Sequence, residues 1–254
     1  MKNINDTVIL NDKSFLTEKY LYASDKKRLV DLVKEMAEEA LKSVVTAVES
    51  LNEADNSKAR SVIDRDDVID ELEEKIDLEC LYSIAMRQPM REDLRFVYAV
   101  TKIITDLERI GDQGVSIAEC SLKLIKSEKV KESLYFIENK PVSKEILSMC
   151  SQIETMFVNL IAAFLNEDEK AAHEVMEMCP KFHETGNKAV NSLVMLFASR
   201  KNVSKILDIF TNVLWIVRHL DRVGNHIMNV AERVCFIATG ITPESLKKKT
   251  KINV

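Results

Sequence analysis

Leu107–Glu119 reads LERIGDQGVSIAE, and further along the chain Leu220–Glu232 reads LDRVGNHIMNVAE, an offset of 113 in the numbering. Five of the thirteen positions are identical: Leu107/Leu220, Arg109/Arg222, Gly111/Gly224, Ala118/Ala231 and Glu119/Glu232. Four more are close exchanges: Glu108/Asp221, Ile110/Val223, Asp112/Asn225 and Ile117/Val230. The same offset carries Val62 onto Val175 and Leu94 onto Leu207, so the correspondence reaches beyond the thirteen. Duplication of a three-helix unit accounts for it.

Working outward, the apolar residues have a helical period. Leu94, Val97, Ile104, Leu107, Val115, Ala118 and Leu122 recur at steps of three, four or their sums, as do Leu214, Val217, Leu220, Gly224, Ile227 and Ala231. Only 5 Gly and 4 Pro interrupt 254 residues, so long helices are favoured. No alternating stretch or Asn-Gly turn marks a hairpin of strands. Six helices are expected: Lys27–Leu51, Lys58–Arg87, Glu92–Ile125, Ser143–Leu165, Glu169–Ala198 and Ser204–Ala238. Asn52–Ser57 and Pro89 mark turns, and Gly240 a stop. Pro180 and Gly186 predict a kinked or weakened fifth helix. Trp215 and Phe210 fit core positions. The expected fold is all-α, with two pseudo-symmetric three-helix bundles over 25–138 and 139–240. Residues 1–24 and a lysine-rich tail, 241–254, read as peripheral.

Composition removes several functions. A net charge of −5 supplies no basic field for nucleic acid. Met1–Asp12 is polar and lacks a signal-peptide core. The longest apolar run, Val158–Leu165, falls short of the roughly 18 residues a membrane span needs. A cytoplasmic protein without membrane insertion is therefore expected. The five cysteines at 80, 120, 150, 179 and 235 contain no C-x-x-C pair, which argues against a disulfide framework and for small core residues.

The acids are the candidates for chemistry. Glu108 and Asp112 lie four apart, on one helical face. Asp66, Asp70, Glu73 and Asp77 form a second stripe. Asp70 and Glu108 lie equally far before and after Pro89 along the chain, and so do Asp66 and Asp112. An antiparallel pair about Pro89 therefore sets both acid pairs at matching heights. Four carboxylates at one level need protons, basic side chains or a cation, and all-oxygen ligands suit Mg²⁺, Mn²⁺, Ca²⁺ or iron. Solvated helix faces paired with Lys or Arg have the same spacing. The repeat places Cys179, His183, Asp221 and Asn225 at the corresponding positions. Cys179, His183 and Asp221 would suit a softer ion such as Zn²⁺, or mark loss of an oxygen site. Arg109 and Arg222 each follow an acid and read as ion-pair or partner residues. Gly111 and Gly224, poor helix formers in mid-helix, predict close packing against a neighbouring helix.

Arg87–Asp112, RQPMREDLRFVYAVTKIITDLERIGD, resembles the PhoU family's region of Q-P, D-L-R and E-R-I-G-D. Asp221–Val234, DRVGNHIMNVAERV, resembles that family's second E-R-I-G-D…N-I-A-E segment, over a similarity spanning roughly 27–240. The resemblance implies two three-helix bundles with multinuclear metal sites at E/D-x-x-x-D motifs. By position Asp66, Asp70, Glu108 and Asp112 match; in the second pair Asp221 matches, whereas Cys179, His183 and Asn225 depart. It further implies a non-enzymatic restraint on phosphate import and phosphate-starvation signalling. The implied partners are a phosphate ABC transporter's ATPase subunit and a sensor histidine kinase. A homodimer is left open. Two other readings stand beside this one: a metal-dependent hydrolase or oxidase, and a metal-free helical adaptor. The enzyme reading lacks E-x-x-H, G-x-S-x-G, P-loop or H-E-x-x-H motifs.

Overall fold

A computed structural model describes residues 12–126, 140–199, 203–242 and Ser245. The first eleven residues, most of the joining stretch and most of the lysine-rich tail lie outside the described residues. Among the described residues seven α-helices follow in order: α1 Asp12–Asn52, α2 Asn56–Ile63, α3 Asp66–Tyr82, α4 Glu92–Ile125, α5 Lys140–Asn166, α6 Glu169–Ala198 and α7 Val203–Thr239. A π-helical turn, Ser83–Arg87, extends α3. Among the described residues there is no strand. Helices α1 to α4 form the first bundle, with α2 and α3 sharing one position; α5, α6 and α7 form the second.

Two expected boundaries change. Helix α1 starts at Asp12, inside the segment read as peripheral. The second expected helix breaks at Asp64–Arg65. A new start there is consistent with acids in the first turn of α3, Asp66 and Asp67, which suit the positive end of a helix. Helix α6, by contrast, runs unbroken through Pro180 and Gly186.

The duplication extends to the backbone of the turns. Asp55 caps α2, accepting from the Ser57 and Lys58 amides at 2.7 and 3.3 Å, and Asp168 caps α6, accepting from the Ala171 amide at 3.1 Å. The residues just before them, Ala54 and Glu167, both have positive φ, 53° and 49°. The amides of Asp55 and Asp168 return to the carbonyls of Ser50 and Ala163, each at 2.9 Å. Every one of these pairs keeps the offset of the repeat. At the far end Gly240 takes φ 74° and donates to the Phe236 carbonyl, the left-handed stop expected of it.

The bundles join along their third helices, α4 and α7, into one continuous core. Two side-chain bridges to histidine cross this seam among the described residues. Asp106 meets His226 Nδ1 at 2.8 Å and accepts from Asn229 at 3.0 Å; Gln113 meets His219 Nδ1 at 2.8 Å. Arg95 donates to the Ile237 carbonyl at 2.9 Å, and Phe96 stacks on Phe164 at a centroid distance of 6.2 Å. All five cysteines are buried free thiols. Helix α5 corrects the reading from run length: Val142–Asn166 is long and apolar enough to cross a membrane by length and composition. Its Ile146, Met149, Ile153, Met156, Leu160 and Phe164 belong to the shared core. Trp215 is a second correction. It is half exposed on α7 while its neighbour Ile216 takes the core position; Phe210 is partly buried against Phe197.

Candidate metal centre

Close approach of two helices builds the candidate site. Gly111 lies on α4 between Glu108 and Asp112, and Ile69 lies on α3 between Asp66 and Asp70. A Cβ on Gly111 would stand 2.6 Å from the Ile69 Cδ1. The missing side chain therefore lets the helices approach at the level of the acids, as the sequence predicts for this glycine.

The two acidic stripes act on each other. Burial pushes the Glu108 carboxyl up to about 7, and Asp112, Glu73 and Asp70 add to the rise against the pull of Arg109. Burial likewise raises Asp66, followed by the charges of Asp70, Asp112 and Asp67. The matching heights about Pro89 thus correspond to electrostatic neighbours. The oxygens do not converge as they stand: among the described residues no group of three or more His, Cys, Asp or Glu is arranged to hold a metal ion. Arg109 instead spans Glu108 at 3.3 Å and Asp112 at 2.9 Å. The donor chemistry nevertheless fits a hard cation, because the set is all carboxylate and its members repel one another. Arg109 is more than half exposed, so solvent would receive its guanidinium if a cation replaced it between the acids.

The second half does not assemble the softer set. Cys179 sits in the core and its thiol, pushed up to about 11 mainly by burial, donates to the Val175 carbonyl at 3.7 Å. His183 Nδ1 and Asp221 bond each other at 2.7 Å. Asn225 is partly buried one turn further along α7. Asp221 takes His183 as its partner, so Arg222 does not repeat the role of Arg109; it is exposed, and its charge adds to the burial that lowers the His219 pKa.

The raised Glu108 fixes a pH dependence. Its folded pKa lies above the unfolded value, so the folded state binds more protons between roughly pH 4.5 and 7. Its contribution to stability is full below that window and is lost as pH rises through it. Metal-free protein should therefore lose thermal stability between about pH 5 and pH 8, with Asp66 adding in the same direction. Glu108→Gln should flatten the slope, stabilising the protein at the alkaline end and leaving it unchanged at the acid end. Thermal melts across the range read this directly; a variant with the parent's slope removes Glu108 as its source.

Beside the acid stripes α1 contributes a charged group that the sequence does not single out. Glu39 accepts from Arg65 at 2.8 Å and from Lys42 at 3.3 Å beside the start of α3. The three-residue step from Glu39 to Lys42 was the available signal; Arg65 lay too far along the chain to be linked to it.

The fold and site define a duplicated helical-bundle protein that carries its opposed carboxylates in one copy. The family model described as the PhoU domain matches residues 33–121 and 146–234, two stretches related by the same offset as the repeat. The chain belongs to the PhoU family. It is 31% identical to the phosphate-specific transport system accessory protein PhoU homolog 1 of Thermotoga maritima, over 89% of each chain. It is 29% identical to the PhoU homolog of Clostridium acetobutylicum, over 87% of this chain and 95% of that one. The crystal structure of the phosphate transport system regulatory protein PhoU from Streptococcus pneumoniae superposes with a TM-score of 0.75 at 22% identity, covering 86% of this chain and 97% of the other, a likeness of fold.

Proposed function

We propose that this chain is a non-enzymatic regulator of phosphate uptake and phosphate-starvation signalling. It acts at the cytoplasmic face by docking on a phosphate ABC transporter's ATPase subunit, on a sensor histidine kinase, or on both. A cation held by Asp66, Asp70, Glu108 and Asp112 biases that docking, by binding one state of the α3–α4 pair more tightly than another. The relatives' names, as accessory and regulatory proteins of phosphate transport, support the regulatory reading over the enzymatic one.

The observation that carries the proposal is that one helical pair bears both features it needs. Where α3 begins beside the middle of α4 are the opposed acids with the raised Glu108. At its tip Leu78, Leu81, Met86 and Met90 are exposed, around a backbone with positive φ at Gln88 and Arg91. Exposed apolar side chains gathered at one end are a contact surface. A cation that straightens or tightens the pair changes how that tip is presented.

Asp112→Ala should lower bound metal in purified protein, measured by elemental analysis, and should weaken capture of the ATPase subunit or kinase from phosphate-replete cells. Unchanged metal content with unchanged capture would leave the metal-free adaptor as the better description. Capture that never differs between replete and starved cells would remove the regulatory reading itself.

A further inference from the structure

Between α1 and the α2–α3 break lies a cavity of about 230 Å³. Val62 and Ile69 give it apolar walls, and its polar lining comes from Lys42, Arg65, Ser43, Thr46 and Ser61, with Glu39 and Asp66. Apart from Asp66, none of these polar residues belongs to the acid cluster. We propose that this cavity binds a phosphoryl oxyanion, either free phosphate or the head of a phosphate ester, in the place now taken by the Glu39 carboxylate.

The argument starts from Glu39. Arg65 and Lys42 come from different elements, yet both donate to its carboxylate, at 2.8 and 3.3 Å. Burial pushes that carboxyl up, but the bonds from Arg65 and Lys42 outweigh it and hold it below the ordinary range. Two cations are thus already aimed at one anionic group inside a cavity. A carboxylate and a phosphoryl group offer a guanidinium the same pair of acceptor oxygens, and phosphate carries more charge. About a quarter of the Glu39 side chain is exposed, and Arg65 and Lys42 beside it are more than half exposed, so a displaced Glu39 carboxylate has a route to solvent.

The rest of the lining suits the same ligand. Thr46 lines the cavity one turn beyond Lys42 on α1, whereas the Ser43 hydroxyl is turned to α4 and donates to the Gly111 carbonyl at 3.5 Å. Helix α3 begins at this cavity after Arg65, with no side chain capping its first amides. The positive end of a seventeen-residue helix favours an anion, a field that Asp66 and Asp67 in its first turn already share. Asp66 opposes a bare anion, but its carboxylate accepts a hydrogen bond from the hydroxyl of monohydrogen phosphate, or from that of a phosphate monoester in its monoanionic form, whose proton has a pKa of about 6. Sulfate, fully ionised at neutral pH, has no such proton to give. Charge and hydrogen bonding together therefore select a protonated oxyanion over sulfate.

The inference deepens the regulatory reading, and rests on it for its biological meaning, by naming the signal sensed. Its test is separate. Isothermal titration and phosphorus NMR of the full-length chain should show saturable binding of inorganic phosphate. Glycerol phosphate and sulfate are the comparison arms. Tighter binding of phosphate assigns the site to the free ion, and tighter binding of glycerol phosphate to an ester; either supports the proposal. Arg65→Met and Lys42→Met should each weaken binding on the order of tenfold. Glu39→Gln should strengthen it by a similar factor, because the internal competitor loses its charge. Arg65 is more than half exposed, so these variants fold, which circular dichroism verifies. Absence of binding at millimolar phosphate overturns the proposal. So does sulfate binding as tightly as phosphate, or a Glu39→Gln variant no tighter than the parent. Lost partner capture with intact phosphate binding would sink the regulatory reading and leave the cavity standing; intact capture without binding would do the reverse.

Discussion

Phe182→Ala should cost about 4 kcal/mol and lower the melting temperature by roughly 8–16 °C. Phe182 is fully buried on α6 and presses its ring against α7 where Gly224 has no side chain; a Cβ there would stand 2.6 Å from Cδ1 of the ring. Truncating the ring leaves a hole that the opposing residue cannot fill, since glycine has nothing to extend. That puts the site toward the costly end of core truncations, where the surroundings relax least. Chemical denaturation checks the value. A loss under about 1 kcal/mol would mean that the two helices collapse onto each other.

Gly114→Val should cost about 3 kcal/mol for the opposite reason. Gly114 on α4 faces Ser43 on α1, and an added Cβ would stand 2.9 Å from the Ser43 carbonyl carbon as well as colliding with its hydroxyl. A flexible side chain could turn away, but backbone cannot, so α1 and α4 must separate along a buried face. Ser43→Gly in the same chain should recover part of the loss, giving a coupling that independent sites would not show. The second half handles the same place differently. The counterparts of Ser43 and Gly114 in the repeat are Met156 and Ile227, both fully buried, so bulky side chains fill the space that closely approaching backbones occupy in the first half.

These glycines show how much of the fold was legible. The repeat, the helical period and the mid-helix glycines were written in residue types, and the structure uses each of them for helix packing. The break at Asp64–Arg65 was not, because a continuous apolar period through Val62 and Ile69 outweighs the weak start signal of Asp66 and Asp67. Trp215 does not take the core place its size suggests, because the more hydrophobic Ile216 beside it takes that place and the amphipathic indole stays half exposed. At the candidate metal centre, distances from Pro89 gave the heights of the acids, which depend only on rise per residue. Whether their oxygens converge depends on helix rotation and rotamer, and there Arg109 intervenes. The cavity beside Glu39 was illegible for a third reason: its two cations come from separate helices and meet only in the folded chain.

The seam between α4 and α7 carries one last consequence. Asp106 and His219 occupy the same place in the two copies, and so do Gln113 and His226. The bridges Asp106–His226 and Gln113–His219 are thus one contact made twice about a local dyad, the pattern of a symmetric dimer. Two identical halves could close it, with an aspartate on each reaching a glutamine on the other. Tethering the halves in one polypeptide makes their encounter independent of protein concentration. It also ends the requirement that both sides carry the same residues. One copy can then hold opposed carboxylates while the other closes the equivalent positions with a buried thiol and a histidine–aspartate pair. Covalent linkage is thus what permits a symmetric scaffold to be chemically one-sided.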